Sequence, residues 1–484
     1  MKKNSALSFV LISAMLFTGL IGCGTDESSE ETLNNNVSET AAETETESET
    51  ILTDGLPAKN FGNEDFTILC RTDKSYEFDI SEQTGNNLQD AVYYRNLRVE
   101  ERYEVKIEPY QVDGNWGSRQ TFIDTIRNEA TAGDGYIDLI AGYCAYMPTV
   151  VLNGYCMNLY ELPLVDFDND WWYDGFNKNM SINEKLYMGL GDASLTMWED
   201  LQVVFFNKNM MTDYSLEYPY EMVSAGTWDF YTLKEYCAYH SRDVDNNSAM
   251  NLSDNWGMLF YNKRDLMVYF ENPYTSMDDE GKPYISVYND RLVDIYDTIY
   301  RFMFEDNLGR QFRPDEISLM FREDKAMFLQ APLRYAEIFR DNESDFGIIP
   351  FPKYDVSQKR YYTPVVDDLS VFCVPVTVRD EELTAYMLEA LNFESSQTVV
   401  PEYFEVSLTR KNFRDNESGE MLELIRDSIW FEFGFVYQDN LGKLGLILDC
   451  LNENNNEIAS YYKRNEKIYQ NGLDDLIEFY YNEE

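Results

Sequence analysis

The sequence predicts an α/β fold: a largely parallel sheet covered by helices, built as two lobes interleaved along the chain. Three observations carry this. Short apolar runs alternate with segments of helical periodicity. The 484-residue length leaves room for two or three domain-sized units. No low-complexity linker interrupts the body after Asp54, so the lobes are not beads on a string.

The elements follow in order. Phe66–Cys70 (FTILC) reads as a buried strand, and Leu88, Val92, Val99 and Tyr103 recur at helical spacing behind the capping residues Asn86 and Asn87. Tyr103–Tyr110 alternates as a strand, Thr121–Ala132 is helical and stops at Gly133, and Tyr136–Gly142 is another apolar strand. Val203–Asn207 (VVFFN) follows, then a helix within Thr227–His240 with Thr232 as N-cap and Glu235 closing a capping box. Ala326–Leu329, Phe346–Pro350 and Ser370–Pro375 are short strands, and Glu381–Glu394 and Glu420–Trp430 are helices. In sheets of this kind ligands bind beyond the carboxyl ends of the strands. That rule points to the loops after Cys70 and Gly142.

The amino terminus is of another kind. Lys2 and Lys3 precede the uncharged run Ala6–Ile21, which ends in Leu20-Ile21-Gly22-Cys23. The run reads as a signal-peptide core, short for a membrane span. Its end resembles the lipobox of bacterial lipoproteins, with cleavage before Cys23 and lipid on its thiol. Residues 25–54 have no Lys, Arg or aromatic residue and many Thr-Glu and Ser-Glu pairs. They bury too little apolar surface to offset their ordering entropy, and like charges keep them extended. The expectation is a signal peptide at 1–22, then a lipidated cysteine and acidic tether at 23–56, holding the protein on the outer face of the cell membrane.

Composition excludes several functions. The formal charge is −48, from 39 basic and 87 acidic residues, which disfavours nucleic acid and anionic lipid as partners. The six cysteines beyond Cys23 (Cys70, Cys144, Cys156, Cys237, Cys373 and Cys450) form no CxxC and read as buried hydrophobes. His240 is the single histidine, which removes most metalloenzymes and histidine triads; it reads as a surface residue at a helix end. Aromatics are 15% of residues, with 37 Tyr and 7 Trp, a surplus that suits a cleft stacking rings on apolar ligand faces.

Over about 61–437 the body resembles the extracellular solute-binding proteins of ABC importers, the group that includes maltose-binding protein, and most closely its sugar-binding lipoproteins. Segments carrying the likeness include NNLQDAVYYRNLRVEERYEVKIE, RNEATAGDGYIDLI, the Trp171-Trp172 pair, INEKLYMGLGDASL, VVFFNKNMM, AGTWDFYTLKEY and FGIIPFPKYDVSQKRYYTPV. The resemblance implies a two-lobed periplasmic-binding-protein-like fold of type II, a monomer whose lobes close at a hinge over an interlobe cleft. By analogy one lobe is 57–163 with 342–394, and the other is 164–341 with 395–484. It also implies a carbohydrate cargo, membrane permease subunits as partners, and capture by hinge closure.

The resemblance places ligand residues at cleft-facing positions. These are Arg71, Asp73 and Tyr76 after the first strand, and Tyr143 and Tyr146 after YIDLIAG. Asp192, Trp198 and Glu199 precede VVFFN, and Trp256, Arg334, Tyr335, Asp367, Asp368 and Trp430 complete the set. Aromatic faces stack on sugars and charged groups bind hydroxyls. For each aromatic the competing role is core packing.

Asp243, Asp245, Asn247, Asn251 and Asp254 fall at calcium-loop spacing. The loop departs from that pattern twice: Ser248 replaces the turn glycine and Asp254 the closing glutamate. The alternative is an Asx-rich turn. No cofactor is otherwise expected. A carbohydrate-active enzyme is the main rival reading, since glycosidases need only two placed carboxylates, and an adhesin or receptor without a transporter is a third. No GxSxG, HExxH, P-loop or complete GxGxxG is present, and Gly189–Ser194 lacks the third glycine of the last.

Overall fold

The computed structural model describes residues 53–404, 415–452 and 457–482. Cys23, the apolar run and almost all of the acidic tether lie outside them. Two sheets organise the body. The first has the order β11-β3-β1-β2, from Ser370–Cys373 (β11), Leu139–Tyr143 (β3), Glu64–Arg71 (β1) and Val105–Val112 (β2). The second has the order β10-β4-β9-β5-β8, from Phe346–Ile349 (β10), Gln202–Asn207 (β4), Ala326–Pro332 (β9), Trp256–Phe260 (β5) and Gly309–Gln311 (β8). Thr275–Met277 (β6) and Pro283–Ile285 (β7) form a separate hairpin.

In the first sheet β1 pairs in parallel with β2 and β3, while β11 closes the far side of β3 in the opposite direction. The second sheet is mixed: β10, β4 and β9 pair antiparallel, then β9, β5 and β8 parallel. Every residue of β4 and β9 is buried, as expected for strands covered on both faces.

The helix Asn87–Tyr103 shows how local chemistry sets an element. Asn86 accepts from the amides of Leu88 and Gln89, satisfying two amides that lack a partner within the helix. Val92, Asn96, Val99 and Tyr103 then turn to the core at spacings of three and four. The helix runs through Tyr103 and ends at left-handed Glu104, so the next strand begins at Val105 instead of Tyr103. The helix Arg119–Ala132 ends, as expected, at Gly133 (φ 68°), a conformation that spares a Cβ clash.

Three expectations need correction. The helix Phe230–His240 is capped by Asp229, whose carboxylate takes the Thr232 amide, and not by Thr232. His240 is buried, with Nδ1 3.1 Å from the Tyr214 hydroxyl, and burial lowers its pKa to about 4. The lobe boundaries also shift. Phe346–Ile349 pairs with β4, so the chain regains the first lobe only near Ser370, not at 342. Residues after 164 stay with the first lobe: Gly189 bridges to Phe372 of β11, and Trp171 and Trp172 pack on the helix Glu381–Glu394. The physical reason is that strand pairing across the chain, which the analogy does not specify, decides which sheet a segment joins.

The crossover consists of two adjacent segments. Leu201 bridges to Val365, the Gln202 amide donates to the Pro364 carbonyl at 3.1 Å, and the Val366 amide to Asp200 at 3.0 Å. A third segment joins where Thr363 bridges to Ile429. The six described cysteines, Cys70 to Cys450, are buried, as their apolar neighbours imply.

Glu389 ties the Trp171-Trp172 pair to this architecture. It is 1% exposed and accepts from Trp171 Nε1 at 2.8 Å, Trp172 Nε1 at 2.9 Å and Asn169 Nδ2 at 2.7 Å. Glu389→Ala leaves those donors without an acceptor and is expected to cost at least about 3 kcal/mol in urea denaturation. A loss under about 1 kcal/mol would show that the cluster contributes little.

Candidate ligand-binding site

Strands β3, β5 and β8 all point their carboxyl ends at one cavity of about 880 Å3 between the two sheets. Tyr143, at the end of β3, and Asp367 and Asp368, just before β11, line its first-sheet wall. The opposite wall is the turn Tyr261–Arg264 after β5 and the stretch Arg310–Pro314 from β8 onward. Asp449, Leu451 and Asn452 close one side. A second cavity of about 380 Å3 adjoins it, bounded by Trp116, Ala145, Gln438, Asp439, Lys443 and Leu446. Tyr143, Arg264 and Asp367 belong to both and form the neck between them.

Arg71 supports the first wall from beneath. It ends β1 with its side chain fully buried. Nη1 donates to Asp368 Oδ1 at 2.6 Å and Nη2 to the Asp368 carbonyl at 2.5 Å. The guanidinium carbon lies 4.6 Å from the centre of the Tyr143 ring. Lys74 adds a second cation, 3.6 Å from Asp368 Oδ2. Arg71 therefore holds two cleft residues without lining the cleft.

Asp367 faces the neck. Burial pushes its carboxyl up to about 6, Arg264 opposes that, and Asp368 and Asp439 reinforce it. Gln438 Nε2 lies 3.4 Å from Asp367 Oδ2. On the second wall Tyr261 is 3.4 Å from Arg334 Nη2, and its ring meets Tyr335 edge-on at 5.9 Å.

The fourteen residues named from the resemblance separate into groups. Tyr143, Asp367 and Asp368 line the cleft. Arg71 backs it, with Asp73 3.8 Å from Arg71 Nη1. Tyr76, Glu199, Arg334 and Tyr335 lie at or beside the crossover: Tyr76 donates to Glu199, and Arg334 pairs with buried Asp200. Four do not reach the cleft. Tyr146 is buried and donates to the Gly114 carbonyl at 2.8 Å. Trp198 is core, its ring edge-on to Phe404. Trp256 is fully buried inside β5, with Nε1 donating to the Asn251 carbonyl at 3.0 Å. Trp430 meets Tyr362 at 4.8 Å and lines a separate 240 Å3 recess. Asp192 sits by Arg426, and burial pushes its carboxyl up to about 7.

Most of the second wall was missed. Tyr261, Asn262, Lys263 and Arg264 follow WGMLF, an apolar run bounded by polar residues. Had that run been taken as a strand, the carboxyl-end rule would have found the turn. The three-residue β8 gives no comparable signal.

The calcium-like loop brings the Asp243, Asp245 and Asp254 carboxylates within 4.8 Å of one another. Both oxygens of fully buried Asp254 already accept backbone amides, from Val244 at 2.9 Å and Asn251 at 2.8 Å. Asn247 donates to Asp245, and Asn251 accepts from the Ser253 amide. This donor set fits an Asx-braced turn better than a cation cage closed by a bidentate carboxylate.

No protein-family model matches the sequence, and no curated protein matches it. Solved structures do match in fold. A Staphylococcus aureus extracellular solute-binding protein in complex with maltose is 13% identical, over 84% of this chain and 97% of its own, with TM-score 0.56. A cyclo/maltodextrin-binding protein complexed with maltotetraose is 12% identical, over 86% and 96%, with TM-score 0.54. An ABC substrate-binding protein from Listeria monocytogenes in complex with cycloalternan is 12% identical, over 86% and 98%, with TM-score 0.52. The chain thus has the two-lobed fold of type II solute-binding proteins.

Two outcomes follow from the site's electrostatics. Asp367 has a folded pKa of about 6, above the ordinary 3.8, so the folded state holds this proton more tightly than the unfolded state. Its stabilising contribution is complete below the ordinary value and is lost as pH rises through about 6. Asp367→Asn is expected to match the wild-type Tm near about pH 4 and exceed it at about pH 7.5; a pH-independent difference in Tm would refute the assignment. Arg71→Leu leaves Asp368 with Lys74 as its remaining cation and is expected to cost about 2–3 kcal/mol in chemical denaturation, with an Arg71→Leu/Asp368→Asn double variant recovering part of it.

Proposed function

We propose that this protein is the extracellular solute-capturing subunit of an ABC importer, with an oligosaccharide as its cargo. The observation that carries the reading is the interlobe cavity: one wall comes from each sheet, and the crossover segments join the two sheets. A ligand touching both walls stabilises the closed arrangement by its differential contacts. The 880 Å3 volume suits a chain of several sugar rings. Tyr143, Tyr261 and Phe312 offer ring faces, and Asn262, Gln311 and Asp368 offer hydroxyl partners. The fold neighbours were solved with maltose, maltotetraose and cycloalternan, which supports a saccharide over a peptide.

The role is binding, not turnover: the fold neighbours are solute-binding proteins, which supports capture over hydrolysis. Export and lipidation at Cys23 complete the reading, with the acidic segment as a tether beside a membrane permease. Among the described residues no helix is long and apolar enough to cross a membrane. Purified protein is expected to gain thermal stability from particular oligosaccharides in a thermal-shift panel of sugars, amino acids and peptides. Stabilisation by peptides or amino acids alone would overturn the carbohydrate reading. Cys23→Ala is expected to release the protein from membranes into the medium in cell fractionation; unchanged membrane retention would refute the anchor.

A further inference from the structure

The chain after Tyr437 lies beyond the stretch that resembles solute-binding proteins, yet it lines both chambers of the cleft. Gln438, Asp439, Lys443 and Leu446 bound the smaller chamber, and Asp449, Leu451 and Asn452 close one side of the larger. This is a third wall, contributed by neither sheet.

The segment is held firmly enough to act as a wall. Leu441, Leu444, Ile447 and Leu448 are fully buried at spacings of three and four, which leaves Asp439, Lys443 and Leu446 on the chamber side. Toward the first lobe, Asn440 Nδ2 donates to Thr149 Oγ1 at 3.4 Å. Toward the second, the Tyr274 hydroxyl donates to the Gly445 carbonyl at 3.4 Å and Lys263 Nζ to the Leu451 carbonyl at 3.3 Å. Gly442 and Lys443 are both left-handed, with φ 64° and 65°. A Cβ at position 442 would meet Ile468 Cγ2 at 2.6 Å, so the turn is pinned against the helix Ile458–Tyr481. Lysine seldom takes that conformation, and the fold holds Lys443 in it at the chamber wall. Burial raises the Asp439 carboxyl, and Lys443, Arg119 and Arg264 oppose that. A carboxylate and an ammonium on one wall suit sugar hydroxyls, which donate to the first and accept from the second.

We propose that the segment 438–452 selects the cargo by length: an oligosaccharide passes the neck at Tyr143, Arg264 and Asp367, and its end sits in the smaller chamber against Asp439 and Lys443. The inference rests on the carbohydrate reading above and extends it. The smaller chamber, at about 380 Å3, is itself of ligand-pocket size. A short saccharide is satisfied in the larger chamber, and only a longer chain gains contacts beyond the neck.

Titration calorimetry on the purified protein would use malto-, cello- and xylo-oligosaccharides, each as disaccharide and hexasaccharide. In the series that binds, the hexasaccharide is expected to bind at least about tenfold more tightly than the disaccharide. Asp439→Asn and, separately, Lys443→Gly are each expected to weaken the hexasaccharide about tenfold more than they weaken the disaccharide. Asparagine keeps the shape of the side chain at 439 and glycine suits the left-handed backbone at 443, so one variant guards against the other failing to fold, with Tm as the check. Equal affinity for both lengths, a loss equal at both lengths, or no loss in either variant overturns this inference and leaves the carbohydrate reading standing. Binding of peptides but of no saccharide overturns both.

Discussion

The buried guanidinium of Arg71 is the contact on which the binding wall depends. It joins three strand ends that are distant in sequence: its own at the end of β1, the Tyr143 ring at the end of β3, and Asp368 ahead of β11. A buried cation is tolerated only when its charge is balanced and its donors are used. Asp368 balances the charge and takes both terminal nitrogens, through carboxylate and carbonyl together. The requirement works in both directions. Satisfying Arg71 fixes Asp368, and fixing Asp368 orients one wall of the cleft.

The crossover supplies the complementary property. Glu199–Gln202 and Pro364–Val366 run side by side and share backbone hydrogen bonds, so the lobes are joined by a narrow ribbon rather than a broad interface at this point. Buried Asp200 sits in that ribbon, paired with Arg334, and Tyr76 reaches Glu199 beside it. Polar pairs at a hinge specify geometry without the large apolar contact that would hold one lobe arrangement permanently. In the proposed capture role, closure would then depend on what the ligand contributes at the two walls.

Much of the local structure was legible. The strands FTILC and VVFFN, the cap at Asn86, the stop at Gly133 and the helix Glu381–Glu394 follow from periodicity and termini alone. The site was only partly so. Tyr143 and Asp368 were accessible through the carboxyl-end rule and the resemblance, whereas Trp256 and Trp198 carry the same residue chemistry and lie in the core. Sequence cannot tell a tryptophan that faces a ligand from one that faces a helix, because both present the same apolar area. Lys263, Arg264 and Arg310 were missed for the opposite reason. In isolation each is an ordinary charged loop residue, and only the pairing of β5 with β8 brings them together.

The sequence by itself determined the alternation of strands and helices, the burial of the cysteines, and an amino terminus unlike the rest of the chain. These depend on neighbours within a few positions, where apolar periodicity, caps and charge runs act directly. The tertiary structure decided where each lobe begins, that β10 belongs to the second sheet, and which charges share the cavity. Those are properties of contacts between residues far apart in sequence, such as Arg71 with Asp368, 297 positions away. No local pattern encodes such a contact, because the energy that selects it exists only once both strands are in place.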